Sequence, residues 1–214
     1  MTAELDGASR SLELSAVVPV TTAEGPGLRF AAWVQGCTLG CPGCCNPGMH
    51  GPGGGHHVRV DALLAQLDRA IASHGIEGIT VLGGEPLQQL PAVASLCAGA
   101  TRRGLGVIVF TGYRLEEARE RPGFAQLWSH VDTLVDGRYD ARRPEPAQRV
   151  GDAAAGGRRF VGSTNQRLCH RTDRYRDPAR WQGPRGVEVH VDPDGRLHAH
   201  GEPGAVRDLL RALR

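Results

Sequence analysis

Gly78-Ile79-Thr80-Val81-Leu82-Gly83-Gly84-Glu85-Pro86-Leu87 is the stretch on which the fold turns. Its first five residues form a short apolar run rich in β-branched side chains, which reads as a buried strand. The run stops at paired glycines, and Pro86 suits the first position of a helix. Apolar periodicity carries that helix from about Leu87 to Arg103. Upstream, Leu63, Leu64, Leu67, Ala70 and Ile71 recur at helical spacing, predicting a helix from Val60 to about Ser73. Asp61 stands near its start, where the helix dipole favours an anion. Before it, Leu28 to Val34 reads as a strand. Downstream come a strand at Gly106–Phe110, a helix at about Leu115–Arg121 and a strand at Thr133–Val135. Strands alternating with helices imply an α/β fold with a parallel sheet joined by right-handed crossovers. The turns at Gly83-Gly84, Thr111-Gly112 and Asp136-Gly137 follow strand ends, where such sheets hold ligands.

The flanks read differently. Residues 1–15 look like a loose lead-in, and the Arg/Pro/Ala/Gly stretch 141–157 reads as a mobile loop. Val187–Val191 and Arg196–His200 flank Asp192-Pro193-Asp194-Gly195, a β-hairpin signal, and a helix from about Pro203 to Leu213 follows.

Composition narrows the chemistry. The chain has 214 residues, within the range of one domain, and 40% are apolar, enough for a core. The sequence contains no Lys, so all 25 basic residues are Arg. A Schiff-base lysine and the lysine of a Walker-type phosphate loop are therefore excluded. A formal net charge of +2 gives no argument for nucleic acid. No apolar run approaches the roughly 20 residues of a membrane span, and the first residues lack the order of a secretory signal. The expectation is a cytoplasmic protein that binds neither nucleic acid nor membrane.

Three of the six cysteines fall in Cys37-Thr38-Leu39-Gly40-Cys41-Pro42-Gly43-Cys44. Cysteines clustered in this way in a chain without an export signal point to metal rather than disulfides. A C-x3-C-x2-C loop wraps three thiolates around a compact centre, and Gly36, Gly40 and Gly43 permit its tight turns. Thiolates are the usual ligands of an iron–sulfur cube, and three of them leave one iron of four open. The alternative is structural zinc, with Cys45, His50, His56 or His57 as a fourth ligand. Spacing alone leaves both standing.

Further segments accompany the cysteines in order: Glu24-Gly25-Pro26-Gly27-Leu28-Arg29, Val34-Gln35-Gly36-Cys37, Asn46-Pro47 and Leu82-Gly83-Gly84-Glu85-Pro86-Leu87. Phe110-Thr111-Gly112-Tyr113, Leu134-Val135-Asp136-Gly137 and Gly162-Ser163-Thr164-Asn165-Gln166 follow. Taken together, residues 17–168 resemble the glycyl-radical-enzyme activating proteins of the radical S-adenosylmethionine superfamily. The resemblance implies a partial (β/α) barrel core over 17–168, preceded by a lead-in at 1–16 and followed by a hairpin-and-helix extension at 169–214. It implies a [4Fe–4S] cluster on Cys37, Cys41 and Cys44 whose open iron takes S-adenosylmethionine. One electron then splits the sulfonium to a 5′-deoxyadenosyl radical, which removes hydrogen from a glycine of a partner glycyl radical enzyme. An electron donor such as flavodoxin or ferredoxin is implied as well.

By position, Gly43, Cys44 and Cys45 would border the nucleotide, and Gly83, Gly84 and Glu85 would receive its methionine ammonium. Thr111 and Asp136 follow strand ends and are read either as ribose or adenine contacts or as local turn residues. The Gly25-Pro26-Gly27 stretch reads as a turn or as a shaper of the active-site mouth. Cys45 stands where relatives carry an aromatic or His, and Cys97 reads as a core residue. Cys169, His170, His198 and His200 are read as surface side chains, with a second metal site as the alternative. Two other functions stay open at this point. One is the same cofactor acting on a peptide or small metabolite, and the other is a non-catalytic zinc- or cluster-binding interaction module.

Overall fold

The computed structural model describes residues 10–146, 157–184, 186–191 and 197–212. A strand β1 (Ser11–Thr21) precedes β2 (Arg29–Val34), and the cysteine loop then leads to β3 (His56–Arg59) and helix α1 (Val60–His74). There follow β4 (Gly78–Gly83), α2 (Leu90–Arg102), β5 (Gly106–Phe110), short helices α3 (Leu115–Arg119) and α4 (Phe124–Trp128), and β6 (Thr133–Asp136). β7 (Arg167–His170), β8 (Val187–Val191), β9 (Leu197–Gly201) and α5 (Pro203–Ala212) complete the order.

Seven strands form one open sheet in the order β3-β1-β2-β4-β5-β6-β7. β2, β4, β5 and β6 are parallel, as the alternating pattern requires, whereas β1, β3 and β7 pair antiparallel toward the edges. The sheet is thus mixed rather than purely parallel. β1 begins at Ser11, inside the expected lead-in, and Leu12 and Leu14 are fully part of the core. β7 likewise crosses the boundary expected at residue 168, tying the extension into the main sheet.

Period-two alternation divides the apolar side chains between two faces. On β2, Phe30, Ala32 and Val34 join the large core beneath α1 and α2, while Ala31 and Trp33 face the other way with Leu82. Farther along that second face, Ile108 and Val135 pack on Val161, Tyr175 and Trp181. Cys97 is fully buried in α2, in line with its reading as core.

Helix α2 starts later than its periodicity suggests. Pro91 lacks an N–H and its ring opposes a helical bond to the carbonyl four residues back. Residues Pro86–Gln89 therefore close as a 3-10 turn, and the α-helix begins at Leu90. The hairpin forms as expected, β8 antiparallel to β9, as a separate two-stranded sheet. Its turn, and most of the loop read as mobile, lie outside the described residues. No helix among the described residues is long and apolar enough to cross a membrane.

Candidate metal and nucleotide site

The register of two parallel strands builds the site. Val34 lies opposite Gly83 at the ends of β2 and β4, so the cysteine loop and the Gly83-Gly84-Glu85 turn emerge side by side. They are stitched together at once: Gly84 N–H donates to the Val34 carbonyl at 2.7 Å, and Glu85 N–H to the Gly36 carbonyl at 2.9 Å. A Cβ at Gly84 would stand 2.4 Å from the Gly36 oxygen and 3.0 Å from the Met49 oxygen. Both are backbone atoms with little room to yield. Gly84→Ala is therefore expected to cost roughly 1–3 kcal/mol through overpacking. Thermal denaturation of the metal-free protein measures it, and an unchanged melting temperature would contradict this packing.

Polar side chains brace the loop. Gln35 Nε2 donates to the carbonyls of Gly48 (3.2 Å) and Gly51 (2.7 Å), and Gln88 Nε2 donates to Thr38 Oγ1 at 2.7 Å. Cys37, Cys41, Cys44 and Cys45 all line one cavity of about 540 Å³, together with Gly83, Gly84, Glu85 and Thr111. That volume is in the range of cofactor pockets. Burial pushes the Cys37 and Cys41 thiols up. Cys44 is instead drawn down to about 5 by a hydrogen bond from the Cys45 thiol, helped by the Asn46 N–H and His50. Donating to Cys44 holds the Cys45 thiol well above its usual range.

Donor spacing bears on the choice between zinc and a cube. Tetrahedral zinc–thiolate bonds of about 2.3 Å place two sulfurs roughly 3.8 Å apart. Among the described residues, the loop cysteines, alone or with His50, His56 or His57, do not gather three donors within 4.8 Å of one another. Three thiolates lining one cavity are the donor type that an iron–sulfur cube takes, so this set fits a cluster.

Glu85 is 1% exposed, and both of its carboxylate oxygens accept hydrogen bonds. Oε1 accepts from Leu87 N (2.8 Å) and Thr111 Oγ1 (2.7 Å), and Oε2 accepts from Gly112 N (2.8 Å). Burial raises its pKa and those donors oppose the rise. Glu85 thus joins the ends of β4 and β5, and Thr111 shares that role at the cavity wall. Gly43, expected beside the nucleotide, is not among the residues that line the cavity, and a Cβ there would stand 2.7 Å from Ala141 Cβ.

Asp136 is placed otherwise than the ribose or adenine reading expects. It is fully buried, accepting from Arg167 Nε (2.9 Å) and Nη2 (2.5 Å) and from Leu115 N (2.6 Å). The carboxylate serves the start of α3 and the β6–β7 pair, and its neighbour Gly137 lines the cavity instead. Gln166 holds that turn, donating to the Gly137 carbonyl at 3.2 Å and accepting from Gly162 N and Ser163 N at 3.1 and 3.0 Å.

Arg29 is the largest surprise in the motif segments. It is fully buried, and its guanidinium donates to Thr80 Oγ1 (2.6 Å), Tyr175 Oη (2.8 Å), and the carbonyls of Pro26 (3.0 Å), Ile79 and Gly106 (3.3 Å). The Gly-Pro-Gly turn is thereby bolted to the sheet from within.

Sequence reasoning missed several wall residues. Phe160 lines the cavity with φ at 65°, a left-handed conformation uncommon for a bulky residue. The extension contributes His200, Gly201, Glu202 and Val206 to the same wall, with His200 in contact with Glu24 and Trp33. No local pattern marks these: Phe160 and Glu202 lie outside helices and strands, Val206 is on α5, and His200 and Gly201 lie on a hairpin whose strands pair only with each other. Cys169 and His170 sit on β7 apart from His200, with His170 Nδ1 at 2.9 Å from Thr133 Oγ1.

A family model described as a 4Fe-4S single cluster domain matches residues 23–169. The anaerobic ribonucleoside-triphosphate reductase-activating protein of Enterobacteria phage T4 is 26% identical over 161 residues, covering 73% of this chain and 93% of that protein. The protein of the same name from Salmonella typhi is 32% identical over 136 residues, covering 60% and 86%. The pyruvate formate-lyase-activating enzyme of Staphylococcus aureus (strain USA300) is 32% identical over 131 residues, covering 57% of this chain and 51% of that enzyme.

Proposed function

Because the chain belongs to the glycyl-radical-enzyme activating family of radical S-adenosylmethionine proteins, we propose that it installs a radical on a glycine of a partner enzyme. The observation that carries this reading is the shared cavity, where the cysteine loop and the Gly83-Gly84-Glu85 turn meet under hydrogen bonds. With a [4Fe–4S] cluster and S-adenosylmethionine bound, the group supplies one-electron cleavage of the sulfonium and hence a hydrogen-abstracting radical.

The chain's own residues do the rest. Cys37, Cys41 and Cys44 hold the cluster as thiolates, and the hydrogen bonds reaching Cys44 favour its charged form. The carbonyls of Gly83 and Gly84 receive the methionine ammonium, since the Glu85 carboxylate is already committed and acts by fixing their turn. Thr111 lines the cavity with its hydroxyl bonded to Glu85, which supports assigning it to the ribose. Leu82, Phe110, Phe160 and Val161 supply an apolar wall that excludes water from a reactive centre. A reduced flavodoxin or ferredoxin serves as the electron donor.

A second reading has the same chemistry acting on a peptide or small metabolite. One observation favours it: the C-terminal hairpin and α5 contribute to the cavity wall, so the extension takes part in shaping the space a substrate would enter. Anaerobic mixing of the reduced, cluster-loaded protein with S-adenosylmethionine and candidate glycyl radical enzymes separates the two. A persistent glycyl doublet in electron paramagnetic resonance is expected. A modified peptide or metabolite with no protein radical would transfer the assignment to the second reading.

A further inference from the structure

The C-terminal hairpin carries a side-chain cluster that the cysteine chemistry does not use. Glu188 and His190 from β8 and His200 from β9 each bring one donor atom within 4.8 Å of the others. Glu188 Oε2 lies 3.7 Å from His190 Nε2 and 3.6 Å from His200 Nε2. Those separations are too long for hydrogen bonds. They match donors about 2.1 Å from one tetrahedral ion, which stand roughly 3.4 Å apart. Both Nε2 atoms are buried and have no hydrogen-bond partner among the described residues, although the two rings are stacked at 5.0 Å and 11°. Two adjacent orphaned ring nitrogens facing a carboxylate oxygen are costly as they stand, and a shared cation satisfies all three.

The surroundings are organised for the same task. His200 has a side chain only 10% exposed, and its Nδ1 lies 3.1 Å from Glu24 Oε1. With Glu24 ionised its oxygen only accepts, and Nδ1 then carries the hydrogen while Nε2 keeps its lone pair for a metal. Burial raises the Glu24 pKa, and the bond from His200 opposes that rise. Trp33 packs edge-on against the His200 ring at 5.2 Å, fixing its plane. Glu188 is oriented from its other oxygen, since Oε1 accepts from Thr22 N at 2.8 Å and Thr22 Oγ1 at 2.7 Å.

We propose that Glu188, His190 and His200 bind a divalent first-row transition ion that clips the β8–β9 hairpin to the core at the cavity rim. Two imidazoles and one carboxylate suit such an ion, and three protein donors leave a position for water. A two-stranded hairpin is marginal by itself, and this one reaches the core through Thr22–Glu188 and Glu24–His200. An ion that binds only the docked arrangement holds the hairpin down by mass action. Its ligands are distinct from the cysteines of the loop, although His200 also lines the shared cavity.

Zn2+ is the probe. Cluster-loaded protein, its cysteines already occupied by iron–sulfur, is titrated anaerobically with Zn2+. Uptake is followed by calorimetry and elemental analysis, the ligand shell by X-ray absorption at the zinc edge, and β8 and β9 by amide exchange. One zinc per chain with a nitrogen and oxygen shell is expected, together with slower exchange in both strands. Glu24→Gln should weaken binding about 10–100-fold, the range for a group that orients a ligand. His190→Gln and Glu188→Gln should weaken it more and abolish the exchange effect. Iron content and circular dichroism verify that the variants fold. Sulfur in the zinc shell, no stoichiometric uptake, or wild-type affinity in both ligand variants would overturn the proposal and leave an ion-pair network only.

Discussion

Cys41→Ala, reconstituted anaerobically with iron and sulfide, is expected to form no stable cluster and to release 5′-deoxyadenosine only at the protein-free background. The reason is the size of the ligand set. Three thiolates serve four irons, so losing one removes a third of the anchorage and opens a second corner to solvent. Cys41 lies between the other two in a loop whose ends are fixed by Gly36 N–H to the Met49 carbonyl (2.9 Å) and Cys37 N–H to the His50 carbonyl (3.0 Å), so no neighbour slides into its place. Cys45→Ala is the control. The Cys45 thiol serves as a donor to Cys44, and its loss should leave the iron content intact. Iron analysis, visible absorption and chromatographic detection of 5′-deoxyadenosine read out both variants. Equal iron loss from the two would place the third ligand at Cys45.

Arg29→Met should destabilise the fold by about 3–5 kcal/mol, several buried acceptors at about 1–3 kcal/mol each being left unsatisfied after partial relaxation. For a chain of this size that corresponds to a fall in melting temperature of roughly 6–20 °C. Burial pulls the Arg29 pKa below its usual value and the Tyr175 hydroxyl opposes it, while the Tyr175 ring centre lies 5.1 Å from the guanidinium carbon. Arg29→Lys should recover little, because an ammonium offers three donors on a flexible stem in place of a planar fork. Calorimetric melting of the metal-free variants measures both effects. A stability close to that of the unchanged protein in Arg29→Met would show that the buried network carries little net energy.

Legibility in the sequence followed how local the determinant is. The parallel strands were readable because strands buried on both faces are nearly continuous apolar runs, as in Phe30–Val34 and Gly106–Val109. The cysteine loop and the Gly83-Gly84 turn were readable because close approach demands glycine, and the Gly36 carbonyl at Gly84 supplies that demand. β1 and β3 escaped detection because their partners lie far along the chain, as in the pairing of Leu12 with Val58, and their exposed positions mask the alternation. Asp136 stayed open between a ligand contact and a local turn residue because a carboxylate past a strand end looks the same whether it faces a ligand or Arg167, which is 31 residues away. His190 and His200 became neighbours only through the hairpin register that pairs His190 with His198, and Glu24 joins them across 176 residues. Arg29 gave no sign at all, since a lone Arg beside a strand is ordinarily a surface residue.

The most direct measurement is product analysis of the cluster-loaded protein under a strong reductant without oxygen, with S-adenosylmethionine supplied and a glycyl radical enzyme withheld. The expected result is paired appearance of methionine and 5′-deoxyadenosine, dependent on reductant and absent in Cys41→Ala. Intact S-adenosylmethionine in the presence of a full iron–sulfur complement, or a single zinc ion held by the loop cysteines, would contradict it.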